Sequence, residues 1–141
     1  MEEIRQRAGG STTVCLDTDI LIAIQRNLPG AREAADELDQ QSSVSTTPIN
    51  AFEMSLGAYT SGRLGNINST IELLQSLILL PMDLDSCIEA GKIAATLRGA
   101  GEGLDVRDAL VAGIVKRHGE TLVTRNLRHF NRIDGLKLKK W

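Results

Sequence analysis

An apolar run that ends on acid constrains this chain more than any other feature. Val14-Cys15-Leu16 passes straight through Asp17-Thr18-Asp19 into Ile20-Leu21-Ile22. A strand covered on both faces is continuously apolar in this way, whereas a half-solvated strand alternates. Sheets of that kind are parallel, and their binding and catalytic groups gather at the carboxyl ends of the strands. Asp17 falls at such an end.

The 141 residues suit one compact domain. Residues 1–11 are polar, contain Gly9-Gly10 and show no apolar period, which predicts a flexible leader ahead of a single domain over residues 12–141. The longest apolar stretch, Leu77 to Met82, is far shorter than the roughly 20 residues that span a bilayer. With no secretory signal in view either, the expectation is a soluble, cytoplasmic protein with no membrane role. Cys15 and Cys87 lack the paired spacing of a zinc site or redox motif, so both are expected to be reduced.

Elements alternate along the chain. Residues 20–27 carry a helical pattern, with Asp19 placed to cap it; a second helix follows Pro29 and ends near Gln40. Ser43–Thr47 is a short β-branched strand, and Pro48 opens a helix with Phe52, Leu56 and Tyr59 at helical spacing. Gly62 and Gly65 break that helix, Ile67–Ser76 forms another, and Leu77–Leu80 is a strand. A helix capped by Asp85 or Ser86 runs to Leu97, another spans Asp105–His118, Thr121–Thr124 is a strand, and Leu136-Lys137-Leu138 alternates as an edge strand. Strands alternating with helices imply an α/β fold, with a mostly parallel central sheet between helices on both faces. Phe52 and Phe130 are expected in the core. Part of the apolar surface of Ile20–Ile24 and Phe52–Tyr59 is expected to remain for a second copy or a protein partner.

Three acids recur in one context: Asp17 after a strand, Glu53 after another, and Asp108 in the first turn of a helix. Carboxylates brought together from separate segments repel one another unless a cation holds them. Mg²⁺ or Mn²⁺, which take oxygen ligands and retain coordinated water, suit such a set. Either ion activates water and neutralises phosphate charge, the chemistry of phosphodiester hydrolysis. Asp19 and Asp105 are better explained as helix caps.

Charge is divided unevenly. Residues 1–115 hold 8 Lys and Arg against 16 Asp and Glu, and residues 116–141 hold 8 against 2. The basic tail is either a phosphate-facing footprint or a solvated face. Arg125 and Arg128 flank Asn126 and are the most suitable phosphate contacts. Thr18 and Thr124, at strand ends, can orient ligands or water through their hydroxyls. Aromatic side chains are too few for a platform that stacks single-stranded bases.

Four blocks together resemble the PIN-domain family, in particular its VapC-like ribonuclease toxins, from Thr12 to Lys139. They are Leu16-Asp17-Thr18-Asp19-Ile20-Leu21-Ile22; Ser45 through Gly57, with Glu53; Asp108-Ala109-Leu110-Val111-Ala112; and Leu122-Val123-Thr124-Arg125-Asn126-Leu127-Arg128-His129-Phe130. The resemblance implies a PIN-like three-layer sandwich and a metal-dependent ribonuclease in which Asp17, Glu53 and Asp108 bind Mg²⁺ or Mn²⁺. It also implies an RNA substrate, a homodimer and neutralisation by a small antitoxin protein. Two positions depart from the family pattern: Asp19 stands where Asn or Ser is common, and Asn126 where a further Asp often stands. Asp105, one turn before Asp108, is a candidate for the missing charge, beside Asp19 and Asn126 themselves.

Two other readings share parts of the pattern. Asp17-x-Asp19 after a strand is similar to the first motif of haloacid-dehalogenase-like phosphatases, though a matching Lys and a later acid pair are not evident. The same fold with too weak a cation site would serve as a binding module. His118 and His129 read as a helix C-cap and a surface residue.

Overall fold

A computed structural model describes residues 13–39 and 43–141, so the expected leader lies outside the described residues. Among the described residues five strands, β1 (Val14–Leu16), β2 (Val44–Thr46), β3 (Ile78–Leu79), β4 (Thr121–Thr124) and β5 (Lys137–Lys140), form a single sheet in the order β3-β2-β1-β4-β5. Every pairing is parallel. The helices are α1 (Thr18–Gln25), α2 (Ala31–Asp39), α3 (Pro48–Ser61), α4 (Leu64–Gln75), α5 (Leu84–Gly99), α6 (Val106–Arg117) and the short α7 (Leu127–Phe130).

Side-chain alternation along the central strands divides the core in two. Cys15 and Leu122, paired across β1 and β4, point to one face, where they meet Ile93 and Leu97 of α5, Val111, Ile114 and Val115 of α6, and Phe130 of α7. Val14, Leu16 and Val123 point to the other, against Ile20 and Leu21 of α1 and Met54 of α3. The sheet is therefore sandwiched between helical layers, as the continuous apolar run at Val14–Leu16 requires. Among the described residues, no helix is long and apolar enough to cross a membrane.

Several local expectations are corrected. Asp17 caps α1, its carboxylate accepting from the Thr18 amide at 2.9 Å, and Asp19 sits within the first turn. Asp83 caps α5, not Asp85 or Ser86; it accepts from the Ser86 amide at 2.9 Å and hydroxyl at 2.8 Å. Gly62, with φ of 69°, closes α3 in the left-handed region that glycine adopts freely, whereas Gly65 lies inside α4. Ile20 and Leu21 are fully buried, so most of that segment is core. Phe52 belongs to the surface, 61% exposed: on α3 the buried stripe is Asn50, Met54 and Ala58, and Phe52, Leu56 and Tyr59 face outward.

One glycine fixes how closely two helices approach. A Cβ on Gly113 would stand 2.7 Å from Ala90 Cβ, Ala90 N and Ser86 O, so α5 and α6 cross with backbone nearly touching backbone. This crossing carries Asp108, at the head of α6, to the carboxyl end of the sheet.

Candidate active site

The carboxyl ends of β1 and β4 lie side by side, with Leu16 opposite Val123, and the loops that leave them open onto one cleft. Asp17, Thr18, Asp19, Glu53, Asp108, Arg125 and Asn126 line it, around a volume of about 380 Å³. Six of these positions were expected on sequence grounds to hold cation or ligand, and Arg125 to meet phosphate. A larger groove of about 720 Å³ runs from Glu53 between α1, α3 and α4, past Gln25, Asn66 and Thr70.

Asp17 is the most tightly held of the acids. Its Oδ1 accepts from the Thr18 amide at 2.9 Å and from Asn50 Nδ2 at 3.0 Å, and its Oδ2 accepts from the Thr124 hydroxyl at 2.7 Å. Burial pushes its carboxyl above the ordinary value and Asp19 adds to the rise, against the lowering effect of the Thr124 bond. Asp108 is also raised, first by burial and then by the neighbouring Asp17 charge, while its contact with His129 opposes the shift. Asp19 raises Asp17 and Asp17 raises Asp108, which marks a place where negative charge is in excess.

Glu53 is oriented from two sides. The Thr18 hydroxyl donates to Oε1 at 2.6 Å, and Arg107 Nη1 donates to Oε2 at 2.6 Å. Thr18 in turn accepts from Asn50 Nδ2 at 2.8 Å. Asp19 Oδ2 accepts from the Arg125 amide at 3.0 Å, and its Oδ1 is buried with no hydrogen-bond partner. Asp105 caps α6 by accepting from the Arg107 amide at 2.8 Å and stands outside the residues that line the cleft.

Three contributors had no distinct signal in the sequence. Asn50 is fully buried and ties Asp17 to Thr18, its own Oδ1 accepting from the Thr47 hydroxyl at 2.7 Å. Arg107 pairs with Glu53. His129 is exposed as expected, yet it places Nδ1 3.0 Å from Asn126 Nδ2 and 3.4 Å from Asp108 Oδ2. His118 takes the expected C-cap place on α6, with Nε2 2.9 Å from Pro81 O.

The basic tail is divided by the fold. Lys116 and Arg117, at the far end of α6, pair with acids of α5: Glu89 at 3.1 Å, and Asp83 and Asp85 at 3.5 Å each. Arg125 lines the cleft, its guanidinium stacked 5.1 Å from the Trp141 ring centroid, and Lys140 lies opposite Thr124 at the same end of the sheet. Arg128 is exposed and takes no part in lining the cleft.

In this parallel sheet, acids carried by three helices, α1, α3 and α6, meet the β4 loop at the carboxyl edge, and residues 14–136 match the family described as PIN domain. The chain belongs to the PIN-domain family. It is 29% identical over 127 residues to the tRNA(fMet)-specific endonuclease VapC of Shigella flexneri, covering 89% of this chain and 96% of that protein. Among solved structures it is similar to VapBC-1 of nontypeable Haemophilus influenzae, with a TM-score of 0.83, 25% identity, and 92% and 98% of the two chains covered. DNA-bound VapBC of Salmonella typhimurium gives 0.80, 26%, 92% and 98%. The fold class expected from the sequence is thus the observed one, and PIN membership sets aside the phosphatase reading of Asp17-x-Asp19.

Proposed function

We propose that this PIN domain is a metal-dependent ribonuclease that hydrolyses RNA phosphodiester bonds, the toxin of a toxin–antitoxin pair. The observation that carries the reading is the single cleft in which Asp17, Asp19, Glu53, Asp108 and Asn126 meet Arg125. Similarity to VapC nucleases along nearly the whole chain supports the same reaction class.

The donor set fits Mg²⁺ or Mn²⁺. It is made of oxygens, which these ions prefer, and the buried, unpartnered Asp19 Oδ1 is a lone pair in want of a cation. Among the described residues no three Asp, Glu, His or Cys side chains stand together as a ready cage, and Glu53 is turned to Arg107. In this reading Asp17, Glu53 and Asp108 hold the ion, with Asp19 and Asn126 beside them. A bound divalent ion would lower the pKa of a coordinated water and neutralise phosphate charge.

The chain's own residues supply the positioning. Asn50 and Thr124 fix the Asp17 carboxylate, and Thr18 aims Glu53 into the cleft. Arg125 meets a phosphate on the RNA strand at the rim, with charge that is independent of base sequence.

Phe52, Leu56 and Tyr59 face outward on α3, and Leu64 and Ile71 are exposed on α4; exposed apolar side chains in such numbers support protein contacts. We assign these contacts to a second copy of the chain and to a small antitoxin, with the protein acting in the cytoplasm. Light scattering on the purified protein tests the dimer, and a monomer at high concentration would refute it.

The activity test is incubation of a mixed RNA pool with Mn²⁺, Mg²⁺ or EDTA, beside Asp108→Asn. Cleavage that needs the metal and disappears in the variant is the expected result. Equal cleavage by both proteins would trace the activity to a contaminant and remove this support.

A further inference from the structure

Arg107 reaches from the head of α6 to α3 and takes the oxygen of Glu53 that Thr18 leaves free. A guanidinium and a divalent ion both seek that lone pair, and they repel each other at contact distance. They cannot share Glu53 Oε2.

The pair is also built to separate. The Arg107 side chain is 60% exposed and that of Glu53 21%, so the guanidinium can swing into water without unpacking the core. Asp105 gives it a second resting place, with Oδ1 3.4 Å from Arg107 Nε and already bound to the Arg107 amide. Ion pairs as exposed as this one add little net stability, so exchanging one cation for another on Glu53 costs little. Arg107 is neighbour to Asp108, which keeps the displaced charge beside the cleft.

We infer that Arg107 is an internal counter-ion of Glu53 that competes with the divalent cation and so sets the cation concentration at which the site loads. The inference rests on the metal-dependent reading above. In the metal-free protein Arg107 offsets the charge of Glu53 and holds its carboxylate ready. Loading then replaces the guanidinium by the ion on Glu53 Oε2.

The test is a Mn²⁺ titration followed by melting temperature and by loss of the free-ion EPR signal, with no RNA present. It compares wild type, Arg107→Gln, Glu53→Gln and the double variant, each first shown to be folded by circular dichroism. Arg107→Gln is expected to reach half-saturation at a Mn²⁺ concentration about two- to fivefold lower, the strength of an exposed ion pair expressed as a ratio. Glu53→Gln should bind more weakly, and adding Arg107→Gln to it should change nothing further, because the target of the counter-ion is gone. Unchanged or weaker binding in Arg107→Gln overturns the inference, as does an equal gain in the Glu53→Gln background, which would make Arg107 a general repelling charge. A wild type that responds to Mn²⁺ in neither readout overturns the metal reading itself, and the inference with it.

Discussion

The buried amide of Asn50 donates to Asp17 Oδ1 across 3.0 Å, and through the same nitrogen to Thr18 across 2.8 Å. One side chain on α3 thereby fixes both the acid that ends β1 and the hydroxyl that aims Glu53. Asn50→Ala leaves the Thr47 hydroxyl proton without its acceptor and removes a donor from a buried carboxylate. Leaving such groups unpaired costs about 1–3 kcal/mol. Urea unfolding of Asn50→Ala should show a loss of that size, and RNA cleavage should fall with it while the circular dichroism spectrum stays that of a folded α/β protein. Unchanged stability and unchanged cleavage together would remove Asn50 from the site.

Helix propensity and packing give opposite answers at two glycines. Gly91 lies on the exposed side of α5 with open space about its Cβ position, so Gly91→Ala should stabilise the protein by about 0.5–1 kcal/mol. Gly113→Ala gains the same propensity on α6 but drives a methyl into Ala90 and the Ser86 carbonyl. Forcing a carbon into a closed site costs about 1–3 kcal/mol, and rigid backbone gives less than side chains do. Thermal melts of the two variants should therefore move in opposite directions.

What the sequence made legible, and what it hid, follows from how far each signal reaches. Val14–Leu16 needed only its own composition to be read as a strand covered on both faces, and Asp17, Glu53 and Asp108 are each anchored to a local strand end or helix start. Phe52 was misplaced because helical spacing defines a stripe without saying which of two stripes faces the sheet. The larger residues Phe52, Leu56 and Tyr59 face out, and the smaller Asn50, Met54 and Ala58 face in. Asn50, Arg107 and His129 reach the acids' network through partners 32, 54 and 21 residues away. No local pattern reports such contacts, since they depend on the crossings of α1, α3, α6 and α7. The Asp17–Asp19 exchange of capping roles is a two-residue boundary shift of the kind that cap geometry alone resolves.

Asp83 ties stability to pH. The Ser86 hydroxyl and amide, with Arg117 beyond them, hold its carboxyl below the usual range. A depressed folded-state pKa means that the unfolded chain binds the proton more readily, so the contribution is complete above the unfolded value near about 3.9 and is lost as pH falls through the folded value. The stability difference between wild type and Asp83→Ala should thus be constant from neutral pH down to about 4 and shrink in stronger acid. Urea midpoints measured for both proteins across that range check the sign. A gap that widens in acid would contradict the capping geometry.

Trp141 is the single tryptophan of the chain, and the Arg125 guanidinium lies 5.1 Å from its ring centroid. Such stacking is worth about 0.5–1 kcal/mol at an exposed site, weak enough for a phosphate to draw the arginine away. Adding RNA to the Asp108→Asn protein, with EDTA present to prevent metal-dependent cleavage, should therefore change the tryptophan emission, reporting on a position at the cleft rim. Arg125→Ala should abolish most of that change and weaken RNA binding, with a smaller salt dependence because one phosphate contact is gone. Arg128→Ala, altered at an exposed position outside the cleft, is the matched control and should leave the emission change in place. If the two variants behave alike, phosphate contact is spread over the basic tail and Arg125 holds no special place in it.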